Sequence, residues 1–121
     1  MEKLFIEGTK QTPEIDFDGA KGKFKVSGKS YPENVNTFFE PVFRYIDEYK
    51  NNPAPKTKLE FTWLYYNTAT IKMIMRIIMF LKESNTNFKL GWYYKEGFEM
   101  IKEKGEEIKD ILGISVDIKQ I

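Results

Sequence analysis

Apolar residues recur along the 121-residue chain with two different periods, and the switches between periods divide it into elements. Leu4 to Glu7 predicts a short strand. Ile15-Asp16-Phe17-Asp18 and Phe24-Lys25-Val26-Ser27 alternate apolar with polar, and the turn-rich Asp18 to Gly22 joins them, so this stretch predicts a hairpin. From Val35 the period changes. Val35, Phe38, Phe39, Val42, Phe43, Ile46 and Tyr49 make one helical stripe, with Pro41 inside it to kink the helix or cost it a hydrogen bond. Ser30 and Glu33 have capping-box spacing at its start. Asn51 to Lys56, with two prolines, predicts a surface loop.

The second half repeats strand and helix. Lys58 to Tyr66 predicts a central strand that starts half exposed, with Leu59, Phe61, Trp63 and Tyr65 alternating with polar residues, and ends buried. Asn67-Thr68-Ala69-Thr70 opens a second helix through about Lys82, ended by Ser84 to Asn87. Phe88 to Tyr94 predicts another strand. Phe98, Ile101, Gly105, Ile108 and Leu112 share one face of a third helix, Gly113 stops it, and Ile114 to Ile118 alternates as a last strand. A hairpin followed by alternating helices and strands predicts an α/β fold in one domain over residues 1–121, with a mixed sheet and about three packed helices.

Composition narrows the chemistry. The chain has no cysteine and no histidine, which excludes disulfides, thiolate or imidazole metal ligation, Ser-His-Asp and Cys-His catalysis, and phosphohistidine relays. Nineteen basic against eighteen acidic residues, scattered along the sequence, give no phosphate-backbone footprint, so no nucleic-acid partner is expected. No apolar stretch resembles a signal peptide, and Ile71 to Leu81, interrupted by Lys72 and Arg76, is shorter than the roughly 20 residues a membrane span takes. A cytoplasmic protein with no membrane partner is expected, and the 16% aromatic content suggests rings that serve a partner.

Ligand and regulatory sites gather where a strand of an α/β sheet turns into a helix. Tyr65 to Thr70 is such a turn: three hydroxyls and an amide stand where free N–H groups and the helix dipole favour an anion. A phosphate on one of those hydroxyls is tolerated there, although Asn67 or Thr68 equally serves as an ordinary N-cap. The following helix carries Ile or Met around nearly its whole girth, leaving a thin polar stripe at Lys72, Arg76 and Glu83. Its methionines, among them Met73, Met75 and Met79, suit either an adaptable partner surface or core filling. Glu14, Asp16 and Asp18 offer hard oxygens for a cation, but a solvent-facing strand accounts for the two aspartates, and no metal or other cofactor is expected. The chain has no Gly-rich phosphate loop and no receiver pattern of acidic residues.

Thr12-Pro13-Glu14-Ile15-Asp16-Phe17-Asp18, Ser27-Gly28-Lys29-Ser30-Tyr31-Pro32-Glu33-Asn34 with Phe38-Phe39-Glu40-Pro41, and Tyr66-Asn67-Thr68-Ala69-Thr70-Ile71-Lys72 together resemble the SiaC family of bacterial regulatory phosphoproteins. The resemblance spans nearly the whole chain and implies a fold like the STAS domains of anti-sigma-factor antagonists. It also implies partner switching: a threonine phosphorylated by a cognate Ser/Thr kinase, dephosphorylated by a metal-dependent Ser/Thr phosphatase, with the unmodified form binding and activating a diguanylate cyclase. The family's Asn-Thr-Ser/Ala-Ser/Thr motif falls on Asn67 to Thr70 and puts the phosphoacceptor at Thr68. Tyr66, Asn67, Thr70, Lys72 and Met73 are the accompanying partner-binding or positioning candidates. On this reading the protein is not an enzyme; c-di-GMP signalling and biofilm regulation are the implied output. The Ile- and Met-rich second helix departs from the family and leaves the identity of the effector open.

Two other readings stand beside it. A small enzyme or ligand-binding domain would join Glu14 and Glu33 with Tyr31 and Tyr66 in one concave pocket. A structural subunit would pair its apolar second helix with a second copy.

Overall fold

The alternating N-terminal segments pair as expected in the computed structural model, which describes residues 1–84 and 87–121. Strand β1 (Lys3–Ile6) runs antiparallel to β2 (Glu14–Asp18), and β2 antiparallel to β3 (Lys23–Ser30). Gly22, in the β2–β3 turn, has φ +68°, and a Cβ there would run into the Lys56 carbonyl oxygen, so this corner needs glycine on both counts. From β3 onward every neighbour is parallel: β4 (Thr57–Tyr66), β5 (Phe88–Tyr94) and β6 (Val116–Gln120), in the order β1-β2-β3-β4-β5-β6. The crossovers are α1 (Val35–Asn51), α2 (Thr68–Ser84) and α3 (Glu99–Leu112).

The parallel strands are laid down in one direction without reversal, so right-handed crossovers put all three helices on one face of the sheet. That face carries Ile15 and Phe17, Phe24 and Val26, Leu59, Phe61 and Trp63, and Leu90 and Trp92, all buried. The helices return Phe39, Val42, Ile46 and Tyr49 from α1, Met73, Ile74, Ile77, Ile78 and Leu81 from α2, and Ile101 and Ile108 from α3. The intervening strand residues form the other face, which no helix covers. Asp16 and Asp18 lie there, as expected of a solvent-facing strand.

Helix α2 is apolar around most of its girth because it meets both the sheet and α1. Of its methionines, Met73 joins the core, Met75 is half-buried and Met79 is 39% exposed. At the α1–α2 seam the Arg76 guanidinium lies 4.5 Å from the Phe43 ring centre and the Lys50 ammonium 5.0 Å from that of Phe80, so cations cover aromatic faces there. Gly105 lets α3 approach the sheet: a Cβ would collide with the Trp92 indole, whose Nε1–H donates to the Ile101 carbonyl at 2.7 Å. Gly113 caps α3 in the left-handed region, as its position predicts.

Several expectations require correction. Ser30 and Glu33 form no capping box, because Ser30 ends β3 and is fully buried; the N-cap of α1 is Asn34, whose side chain accepts the Thr37 N–H at 3.0 Å. Pro41 sits within an unbroken α1, so its cost is the missing donor to Thr37. Strand β4 does not grow more buried along its length: it alternates to Trp63 and then emerges, with Tyr65 50% exposed. Phe98 precedes α3 as its N-cap residue and is exposed, and the last strand starts at Val116. The expected end of the second helix over Ser84 to Asn87 lies partly outside the described residues.

Candidate functional site

The turn from β4 into α2 is shaped by a bulge. Against β3, Gly28 pairs with Trp63 but Lys29 pairs with Tyr65, so Leu64 is the extra residue. One inserted residue inverts the alternation. Trp63 points into the core, Tyr65 outward, and Tyr66 back inward, where its ring meets Trp63 at 5.6 Å and Trp92 at 6.2 Å between centres. Burial, and secondarily the Glu107 charge, push the Tyr66 hydroxyl up to about 12. It is therefore a neutral phenol at any ordinary pH.

Asn67 then caps α2. Its side-chain oxygen accepts the Thr70 N–H at 2.9 Å and its carbonyl accepts the Ile71 N–H at 3.3 Å. A second set of bonds ties this helix start to the end of β3. The Asn67 N–H donates to the Ser30 carbonyl at 3.0 Å, the Thr70 hydroxyl donates to the same carbonyl at 3.1 Å, and the Ser30 and Thr70 hydroxyl oxygens lie 2.8 Å apart. Ser30 and Thr70 are both 0% exposed, so this polar pair is sealed inside the fold.

Thr68, the first residue of α2, is exposed, and its hydroxyl bonds to nothing among the described residues. Asn67 uses the Thr70 N–H, which leaves the amides of Thr68 and Ala69 as the free donors of the first turn. Lys72 is exposed one turn further along the same helix face. Thr70 is fully buried, and Met73 is 7% exposed, facing the α1–α2 seam rather than the turn. Among the five accompanying candidates, the fold therefore leaves Lys72 and part of Tyr66 reachable, while Asn67 and Thr70 hold the turn.

Beside this turn lies a cleft of ≈ 510 Å³. Strands β4 and β5 pair only as far as Thr62 and Tyr93, and beyond that point they part. Leu64, Tyr65 and Tyr66 line one wall, Ile71 the base of α2, and Phe98, Met100 and Lys104 the wall contributed by α3 and its approach. Tyr65, Phe98 and Met100 are exposed at 50%, 36% and 82%, and Tyr31 packs edge-on against Tyr65 at 5.6 Å. Neither Glu14 nor Glu33 lines this cleft, so the four residues of the pocket-based alternative are not brought together. No group of three or more acidic residues able to hold a metal ion occurs among the described residues, and no helix there is long and apolar enough to cross a membrane.

Sequence reasoning missed Ser30 as the partner of Thr70, because their 40-residue separation leaves no local signal. It also missed the cleft, although Met100 gave a clue: it is a large apolar residue outside the core stripe of α3.

Fold and turn together define a two-layer α/β module that presents an unbonded hydroxyl at a helix start, beside an apolar cleft. The chain belongs to the SiaC family: a model of that family, described as SiaC family regulatory phosphoprotein, matches residues 6–121. An uncharacterized protein of Pseudomonas aeruginosa is 32% identical over 113 residues, 91% of this chain and 90% of its own. Among solved structures, a chain from the complex of the diguanylate cyclase SiaD with its activator SiaC, from Pseudomonas aeruginosa, matches with a TM-score of 0.88 at 30% identity, covering 98% of this chain and 99% of that one. SiaC of Pseudomonas aeruginosa solved alone matches with a TM-score of 0.87 at 28% identity over 100% of both chains.

Proposed function

We propose that this protein is a non-enzymatic partner-switching module whose unmodified form binds and regulates an effector of the diguanylate cyclase class, and that phosphorylation of Thr68 releases it. A Ser/Thr kinase adds the phosphate and a metal-dependent Ser/Thr phosphatase removes it. The observation that carries this reading is the state of Thr68: exposed, with an unbonded hydroxyl, at a helix start fixed by the Asn67 cap and the buried Ser30–Thr70 pair. The family's description as regulatory phosphoproteins, and the naming of a structural relative as activator of a diguanylate cyclase, support it.

The chemistry follows from placement. A threonyl phosphate brings about two negative charges. At the first helical position it faces the free amides of Thr68 and Ala69 and the positive end of the helix dipole, and Lys72 stands one turn on, so the fold accommodates it. A partner closing over the adjoining cleft must strip water from that dianion. The cleft supplies an apolar wall for this, and desolvation of an incompletely paired charge weakens binding. Tyr66 and Ile71 line the cleft on either side of Thr68 in sequence, which couples the modification to the docking surface.

Co-expression with candidate Ser/Thr kinases, phosphatases and diguanylate cyclases, followed by phosphosite mapping and calorimetric titration, tests the proposal. Thr68→Ala is expected to keep binding the cyclase and Thr68→Asp to lose most of its affinity. Equal affinities of the two variants, or a phosphate mapped to another residue, would overturn it.

A further inference from the structure

The charges that are scattered along the sequence are gathered by strand register. On the open face of the sheet, Lys3, Asp18, Lys23, Lys58 and Lys89 pair in succession across β1 to β5 and form one row. Lys23, Lys58 and Lys89 are direct neighbours in that row with no acid between them, about 4.8 Å from strand to strand. Like charges directly opposite one another destabilise a sheet. Lys25 stands in the next row, and the two loops at this end add Lys21 and Lys56, held together where the Lys58 N–H donates to the Gly22 carbonyl at 2.8 Å.

Four carboxylates share the area: Asp16, Asp18 and Glu60, and Asp117 on β6, which pairs with Gly91 two residues beyond Lys89. Seven lysines less four acids leave a local charge of +3, in a chain whose total is +1. The two ion pairs here are loose and uneven in height: Lys3 to Asp18 at 3.8 Å with side chains 68% and 14% exposed, and Lys58 to Glu60 at 3.9 Å with 53% and 21%. In both pairs the lysine is far more exposed than its carboxylate, so the ammonium groups are the charges an approaching surface meets first. Phe5, 61% exposed, projects from the same face on the edge strand, opposite Asp16.

We propose that this lysine row, with Phe5 at its margin, is a peripheral docking surface for an anionic lipid bilayer. The residue types favour this partner. Lysines are hydrated point charges that suit a diffuse anionic plane, whereas recognition of single phosphates or carboxylates favours the planar fork of arginine, which is absent from the row. The uncovered sheet face sets the three ammonium groups side by side on neighbouring strands, and an exposed phenyl ring on the same face can enter the headgroup region. The proposal revises the expectation of no membrane partner, which rested on the lack of an apolar stretch long enough to span a bilayer. It is independent of Thr68, which lies at the opposite ends of the strands.

Sedimentation of the purified chain with vesicles tests it. At about 0.1 M salt, binding is expected to vesicles of equal phosphatidylglycerol and phosphatidylcholine and not to phosphatidylcholine alone, with release at about 0.5 M salt. Removing a lysine near an anionic surface weakens binding about fivefold, so Lys23→Gln/Lys58→Gln/Lys89→Gln is expected to lose roughly a hundredfold. The loop pair Lys21→Gln/Lys56→Gln, outside all strands, is expected to lose about twenty-five-fold on the same scale and guards against a folding artefact. Phe5→Ala is expected to weaken binding at constant charge, and Thr68→Asp to leave it unchanged. No sedimentation with anionic vesicles, wild-type binding by both lysine variants, or retention on heparin without vesicle binding would overturn the proposal.

Discussion

Removing the Thr70 hydroxyl tests whether the seal between β3 and α2 is as important as its geometry indicates. Thr70→Val keeps the shape and the β-branch, and deletes one oxygen that contacts both the Ser30 hydroxyl at 2.8 Å and the Ser30 carbonyl at 3.1 Å. The carbonyl keeps the Asn67 N–H at 3.0 Å. The Ser30 hydroxyl keeps nothing, and an orphaned buried hydroxyl costs about 2 kcal/mol. For 121 residues, with an unfolding entropy of roughly 2.1 cal/mol/K per residue, that lowers Tm by about 8 °C. Ser30→Ala is milder, about 1 kcal/mol, because the Thr70 hydroxyl still donates to the Ser30 carbonyl. The double variant removes both hydroxyls of the pair, so neither is left orphaned, and is expected to cost no more than Thr70→Val alone, a coupling of about 1 kcal/mol. Urea unfolding of the four proteins, followed by circular dichroism, measures the cycle. Additive costs, or a Thr70→Val penalty below about 0.5 kcal/mol, would show that the pair does not act as a unit.

Gly105→Ala drives a methyl into the Trp92 indole, which its bond to the Ile101 carbonyl holds in place; the overpacking penalty of about 1–3 kcal/mol should exceed the gain in helix propensity of about 1 kcal/mol, lowering Tm. Tyr66 and Tyr93 are both pushed up to about 12, Tyr66 by burial and then the Glu107 charge, Tyr93 by burial and then the neighbouring Glu60 carboxylate. Folding therefore favours the protonated phenols: their contribution is intact below about pH 10, where unfolded tyrosine begins to ionise, and is lost as pH rises towards 12. Tyrosinate absorbance should show Tyr66 and Tyr93 titrating late, with Tyr45 also raised by burial, and stability should fall across that window; rings that all ionise near 10 would contradict the packing.

Most of the fold is legible in the sequence because period alone distinguishes its elements. The stripe from Val35 to Tyr49 and the alternation from Leu59 to Trp63 each have a single solution, and α1 and β4 are that solution. The failures share one physical cause, a long-range contact that overrides a local signal. Ser30 carries a sound capping-box spacing, yet burial against Thr70, from 40 residues away, takes it out of the helix start. The end of β4 looks like a run into the core, yet the bulge at Leu64 and the parting of β4 from β5 turn Tyr65 out and open the cleft. The motif's alignment points to Thr68, and the three-dimensional arrangement adds a physical difference from Thr70, two residues on, whose hydroxyl is fully buried.

The helices all lie on one side of the sheet, and this gives the molecule a division of labour within single strands. In β4, Leu59, Phe61 and Trp63 hold the fold, while Lys58, Glu60 and Thr62 address the solvent on the far side. The residues around Thr68 sit at the strand ends, and of the side chains lining the cleft Tyr65 is the one the bulge turns outward. Substitutions at Lys23, Lys58 and Lys89, at the other ends of the strands, leave the surroundings of Thr68 untouched. The two surfaces can therefore diverge independently, so that relatives with the same helical side can differ in whatever the other side touches.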